Sequence, residues 1–406
     1  MDTKLPGIDE IKEAEMYLEG KINKTPLQRS ATFSTVYGSD LYFKMENWQK
    51  TGSFKSRGAL YRISKLSADE KKLGVITASS GNHAQGVAFA AKYSGIKAKI
   101  VMPETTIPAK INAVLNYGAE VVLKGQDYSD ARAVASEIQK IEGRTFIEAF
   151  NDPYVIAGQG TIGLEIYRDL KNVDTVIVPV GGGGLISGIS IALKSLNKDI
   201  RVIGVESELS DSMKESLEAG KIVAHTSGNS IADGISVKYP GELTLEAAKQ
   251  NVDDIVTVSD ETIAMAIYKL LERSKILVEP SGAAAFAAIM ENKVDIKGRK
   301  TVVLLSGGNI NFLLLSKIIY KCMEIESKLV RIEFKIPDRP GTLLKISSAI
   351  SSVLGNIYHA EVDNLARNTP IGFQTVTFSV NLRDENHLKI LIEKLKTLGF
   401  EFEIVT

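Results

Sequence analysis

Apolar positions follow two spacings along this chain. From position 41 onward, short apolar runs bounded by turn residues trade places with longer segments whose apolar residues recur every three or four positions. The runs Leu41-Tyr42-Phe43-Lys44, Gly74 to Ala78, Ala98 to Met102 and Glu120 to Leu123 predict strands. Residues 9 to 19, His83 to Tyr93, Ile107 to Tyr117 and Tyr128 to Gln139 predict helices, the first capped by Asp9 and ended by Lys24-Thr25-Pro26. From Pro153 the alternation restarts with Thr175 to Val180, a helix through Leu196, Arg201 to Val205 and, late, Thr301 to Leu305. Such alternation predicts an α/β fold of two open parallel sheets with helices on both faces. Two such sheets meet at a cleft, and ligands in these folds sit beyond the carboxyl ends of the strands.

The pattern changes near Glu324. After a helix from Asn311 to Met323 come a strand (Leu329 to Ile336), the turn Asp338-Arg339-Pro340-Gly341, a helix (Thr342 to Val353), two strands (Ile357 to Asp363, Phe373 to Val380), a helix (Glu385 to Leu398) and a strand (Phe400 to Val405). That βαββαβ order is ferredoxin-like. The expected division is therefore residues 1–325, with a smaller subdomain at about 50–150 inserted in the larger, followed by a separate domain at 326–406.

Composition narrows the function. A chain of 406 residues predicts roughly two to three domains. Lys+Arg and Asp+Glu both number 49, which argues against a nucleic-acid or membrane surface as partner and leaves a small molecule. Cys322 is the single cysteine, so neither an internal disulfide nor a cysteine metal site is expected. Met1 to Pro6 has no apolar core of signal-peptide type and no run approaches a membrane span, so a cytoplasmic location is expected.

The candidate chemistry gathers at four glycine-marked turns. Ser53-Phe54-Lys55-Ser56-Arg57-Gly58 sets Lys55 at the start of a helix. A desolvated amine beside cations such as Lys50 and Arg57 would shed its proton and serve Schiff-base chemistry, although a lone lysine in a helical turn is more often a solvated charge. Gly181 to Gly184 follow a strand and precede a helix, so backbone N–H groups converge there as in an anion site, or the run is only a tight turn. Gly182, Gly184 and Gly188 with Glu206 imitate a dinucleotide fingerprint loosely, the third glycine falling one position late, where Ser187 stands in its place. Ser79-Ser80-Gly81-Asn82-His83 suits a carboxylate or a ring oxygen, with capping by Ser80 or Asn82 as the alternative. Ser306-Gly307-Gly308-Asn309 ends a strand, Asn309 being the expected cap of the next helix.

These segments, with Ala157-Gly158-Gln159-Gly160-Thr161, resemble in order and spacing the threonine dehydratase and serine racemase branch of the fold type II pyridoxal-phosphate enzymes across about the first 320 residues. The resemblance implies that Lys55 holds pyridoxal 5'-phosphate as a Schiff base, that Gly181, Gly182, Gly183, Gly184 and Leu185 grip its phosphate, and that Asn82 bonds the ring hydroxyl. Ser306 would face the pyridine nitrogen, Phe54 would lie beside the cofactor, and Ser79, Ser80, Asn82 and His83 would meet the substrate. His83 is assigned no proton transfer. Glu279 falls near the ring in relatives, as an orienting group or as a helix-start acid. Residues 329–406, with Asp338-Arg339-Pro340-Gly341, resemble an ACT domain, which implies an amino-acid effector near Gly341 and Asn356 and a homodimer or homotetramer.

The implied reaction removes water and ammonia from L-threonine, giving 2-oxobutanoate, or from L-serine, giving pyruvate. Lys55 takes the Cα proton as general base. The β-hydroxyl would draw its proton from the cofactor phosphate, since no side chain in these motifs is an evident acid. Ser80 matches the acid of the racemases on the face opposite the lysine, so serine racemisation or β-replacement is the enzymatic alternative. A former enzyme kept as an amino-acid sensor is the non-enzymatic one. The racemases' divalent-cation site matches only Glu206, with Ser212 at the second carboxylate and Asp211 beside it, so no divalent metal is expected, although one carboxylate and carbonyls could hold a weakly bound cation.

Overall fold

A computed structural model describes residues 4–225, 230–365 and 369–405. Of the opening stretch read for a leader, residues 1–3 lie outside the described residues. The chain divides into two compact units, Met1–Asn311 and Phe312–Thr406.

In the first unit the strands are β1 (Leu27–Arg29), β2 (Asp40–Lys44), β3 (Val75–Ala78), β4 (Ala98–Met102), β5 (Glu120–Leu123), β6 (Thr145–Phe146), β7 (Thr175–Pro179), β8 (Arg201–Ser207), β9 (Asp254–Val258) and β10 (Lys300–Leu304). They form two sheets, β1-β2-β10-β7-β8-β9 and β5-β4-β3-β6. Every pairing is parallel except β1 with β2. Because β2 pairs with β10 in the larger sheet, the chain leaves that sheet after β2, builds the smaller one and returns at β7. Strands β3, β4 and β7 are buried along their whole length, which is why they read as mainly apolar runs, broken in β4 by Lys99.

Helix contacts at glycine bring the two sheets' supports together. The helices Lys55–Ser64 and Pro153–Asp169 cross at Gly58 and Gly158, where a Cβ on Gly158 would stand 2.6 Å from the Gly58 Cα. The Ala157 to Thr161 segment therefore packs closely against the helix that begins at Lys55.

The second unit begins with the helix Phe312–Ile325, which the composition shift groups with the first. Strands β11 (Leu329–Pro337), β12 (Asn356–Asp363), β13 (Phe373–Asn381) and β14 (Glu401–Val405) form an antiparallel sheet in the order β12-β13-β11-β14. Ile332, Phe334, Val376 and Phe378 pack against Ile346, Ile350, Leu391 and Leu395 of its two helices. The βαββαβ order holds. One expectation fails locally: Gly7, not Asp9, caps the first helix, Ile8–Leu18, and the Gly7 N–H donates to the Glu10 carboxylate at 3.0 Å.

Candidate active site

Lys55 opens its helix at the point where three segments meet. The Phe54 N–H donates to the Ser306 carbonyl at 3.2 Å, and Ser53 bridges to Gly307, so the end of β10 fixes the residue before the lysine. Gly86 brings the helix Asn82–Tyr93 against the lysine backbone, a Cβ there standing 3.1 Å from the Lys55 carbonyl. The Lys55 amine donates to the Ala149 carbonyl at 3.1 Å. Although Lys55 is only partly buried by surface area, atoms crowd its amine. Burial pulls its pKa down to about 8, with the Glu279 carboxylate opposing.

Of the two causes expected, desolvation operates and the neighbouring cations do not. Lys50 is exposed, and the Arg57 charge is met by Glu46 and Glu165, so desolvation and not neighbouring cations activates the amine. Acylation of Lys55 by an amine-reactive reagent should therefore rise with pH through a midpoint near 8, well below an ordinary lysine at 10.5. In Glu279→Gln, which removes the opposing charge, peptide mapping should show the midpoint moved lower still; an upward shift would contradict this electrostatic account.

Glu279 stands at the cap position of the helix Pro280–Met290, but its carboxylate does not cap that helix. It accepts instead from the Asn82 Nδ2 at 2.6 Å, while the Asn82 Oδ1 accepts from the Asn309 Nδ2 at 2.7 Å. Asn82 is thus locked between two partners with one N–H still free to serve a ligand oxygen. Gly307 faces the pair so closely that a Cβ would fall 2.1 Å from the Glu279 Oε1. Burial, then Asp233, pushes Glu279 up to about 7. Asn82 does not take the capping role, since Gly81 holds the cap position before it, and Asn309 bonds the Thr51 carbonyl as well as Asn82.

The remaining sequence candidates surround this cluster. Ser79 accepts the Gly81 N–H at 3.2 Å and Ser80 lies partly exposed in the same turn. His83 is buried against the Ile147 carbonyl at 3.0 Å, and burial together with the Lys55 charge lowers its pKa to about 3, so it is neutral. Ser306, two residues past the end of β10, is 3 % exposed. Phe54 lies under the lysine, its ring 5.0 Å from the amine.

The glycine run forms the other half of the site. Among the described residues, the buried N–H groups of Gly182, Gly183, Gly184 and Leu185 meet no protein acceptor. Buried amides are almost always paired, so four in succession at the start of the helix Gly184–Leu196 make a cup for an anion. Gly183 sits at φ +91°, and Cβ atoms at Gly182 and Gly184 would overlap Phe150 at 2.2 Å and 2.9 Å. Phe150 follows Ala149, whose carbonyl takes the Lys55 amine, and this pair ties the cup to the lysine. No sequence pattern marks Ala149 or Phe150, because β6 before them is only two residues long.

The dinucleotide fingerprint is overturned. Glu206 is fully buried and accepts the N–H groups of Met213 and Lys214 at 3.0 and 2.9 Å, so it caps the helix Ser212–Ala219 and reaches no ribose. Burial raises it to about 8. Asp211 turns to His225, whose Nδ1 lies 3.2 Å from the Asp211 Oδ1 and 3.1 Å from the Glu215 Oε2.

Residues 18–308 match the family described as pyridoxal-phosphate dependent enzyme, and residues 326–399 match the ACT domain. The chain is 45 % identical over 398 residues to an L-threonine ammonia-lyase of Thermotoga maritima, covering 98 % of this chain and 99 % of the relative. Maize serine racemase superposes with a TM-score of 0.75 at 36 % identity, covering 79 % of this chain and 99 % of the racemase. The processed threonine deaminase isoform 2 of Solanum lycopersicum gives 0.74 at 37 %, covering 80 % and 91 %. The residues present fit that cofactor: an enclosed lysine amine, an unpaired amide cup for a phosphate and a spare Asn82 N–H for a ring oxygen. This chain belongs to the pyridoxal-phosphate dependent enzymes and carries an ACT domain C-terminal to the family's region in sequence.

Proposed function

We propose that this enzyme deaminates L-threonine to 2-oxobutanoate and ammonia, with L-serine to pyruvate as a second substrate. The observation that carries the reading is the Lys55 amine, brought by burial to about 8 and joined through Ala149 and Phe150 to an anion cup. The near-full-length likeness to an L-threonine ammonia-lyase supports it.

Bound pyridoxal phosphate supplies an electron sink for charge at the substrate Cα. Lys55, with its pKa near neutrality, takes the Cα proton as general base. Glu279 then favours the ammonium that Lys55 has become, since its charge raises the lysine's pKa. Asn82, held by Glu279 and Asn309, orients the ring oxygen, and Ser306 offers the pyridine nitrogen a neutral hydroxyl. Ser79, Ser80 and the start of the helix Asn82–Tyr93 receive the substrate carboxylate, their N–H groups favouring an anion. The β-hydroxyl departs as water, the Cα proton taken up by Lys55 balancing the one it gains; the released enamine tautomerises and takes up water, freeing ammonia, so the net change consumes no water.

The ACT domain points to an amino-acid effector beside Gly341, at φ +88° before the helix Thr342–Ser352, and Asn356 at the start of β12. A homodimer or homotetramer would bring such sites together. Likeness to a serine racemase, with Ser80 accessible, favours racemisation of serine as a side activity.

The test is product analysis of the purified chain. L-Threonine should yield 2-oxobutanoate and ammonia in equal amounts. D-Serine formed from L-serine without pyruvate would place racemisation first, and neither product would leave the sensor alternative.

A further inference from the structure

We propose that Thr244, helped by Ser187, is a positioning residue that aims the glycine cup at the cofactor phosphate. The inference rests on the pyridoxal-phosphate reading of the site. A peptide unit is planar and trans, so fixing its carbonyl fixes the opposite direction for the N–H of the next residue. The Thr244 hydroxyl donates to the Gly182 carbonyl at 2.7 Å, which turns the Gly183 N–H away from Thr244. The Ser187 hydroxyl donates to the Gly183 carbonyl at 2.8 Å, which does the same for the Gly184 N–H. Two successive peptides are thereby set with their amides facing one side, and the left-handed conformation of Gly183 between them permits it.

Thr244 is fully buried and has no freedom to point elsewhere. It accepts the Gly241 N–H at 2.9 Å, closing the start of the helix Glu242–Asn251, so its own proton goes to Gly182 as the nearer carbonyl. That helix is itself tied down beside the cup, the Leu243 N–H donating to the Asn151 Oδ1 at 3.0 Å. A capping role alone would account for the bond to Gly241, three residues away, but not for the bond to Gly182, 62 residues away.

The experiment titrates the full-length chain, stripped of cofactor, with pyridoxal 5'-phosphate and separately with pyridoxal, which lacks the phosphate. Thr244→Val keeps the branched shape and removes the hydroxyl. It should weaken pyridoxal phosphate on the order of tenfold or more, the scale of a hydrogen bond serving a charged group, while pyridoxal stays within about twofold. Thr244→Ser should recover most of the loss. An equal loss for both ligands would reduce Thr244 to a helix cap, and no loss for either would end the proposal. Should Thr244→Val fail to fold, Ser187→Ala carries the same comparison with the Gly241 cap intact. A wild-type chain that binds both ligands alike would overturn the phosphate cup itself, a failure distinct from that of Thr244.

Discussion

Lys55→Ala is expected to lower 2-oxobutanoate formation from L-threonine by about 10⁴-fold, because in the proposed function one side chain serves both as cofactor anchor and as base for the Cα proton. Loss of the base alone costs up to about that factor. The absorbance band near the visible edge that marks a cofactor joined to lysine should vanish with the substitution. Far-UV circular dichroism should be unchanged. Folding lowers the Lys55 pKa from 10.5 to about 8, so its charge opposes the folded state, fully below about pH 8 and less as pH rises towards 10.5. Removing the amine therefore takes away a cost at neutral pH. Turnover within about tenfold of wild type would refute the assignment of the base, since water in the cleft would then be serving as well as Lys55.

The candidate segments that the structure brings together were legible because each sits at a turn marked by glycine. Lys55, Asn82, Gly181 to Gly184 and Ser306 all come from such turns, and the structure gathers Lys55, Asn82 and Ser306 around Glu279 and Gly307. What failed was reasoning from neighbours in sequence. Arg57 lies two residues from Lys55, yet its charge is met by Glu46 and by Glu165, 108 residues away, so it does not act on the amine. Glu206 comes after a strand at a plausible distance for a ribose acid, yet it is spent on a helix start seven residues further on. Ala149 contributes through a backbone carbonyl 94 residues from the lysine, and a carbonyl carries no residue-type signature. In the fold, β9 and β6 went unread because one has no clean alternation and the other has two residues, whereas the fully buried β4 was read to the residue.

Arg57→Met should destabilise the Met1–Asn311 unit by about 3 to 5 kcal/mol, the range for stranding a buried charge. Arg57 and Glu46 are fully enclosed, and Glu165 is 9 % exposed. The guanidinium spends all five N–H donors. Nε and Nη2 reach Glu46 at 2.8 Å each, Nη1 and Nη2 reach Glu165 at 2.6 and 3.0 Å, and Nη1 reaches the Thr161 hydroxyl at 3.0 Å. The Lys44 amine holds Glu165 from the other side and bonds the Thr25 carbonyl at 2.8 Å. Two cations thus balance two carboxylates within a dry space, and methionine leaves Lys44 to pair with Glu165 while Glu46 keeps only the Thr25 hydroxyl. The loss should come from that stranded carboxylate and not from the smaller side chain. Arg57→Met with Glu46→Gln should therefore be more stable than Arg57→Met alone, a sign that additive losses forbid and that a double-mutant cycle in urea reads directly. Arg57→Lys keeps the charge but has three donors for five places, so it should fall between wild type and methionine. Because the helix that begins at Lys55 is the one Arg57 ties to the helix Pro153–Asp169, the double variant should also recover cofactor attachment that Arg57→Met loses. If the double variant is no more stable than Arg57→Met, the quartet is held by packing and its charges are incidental.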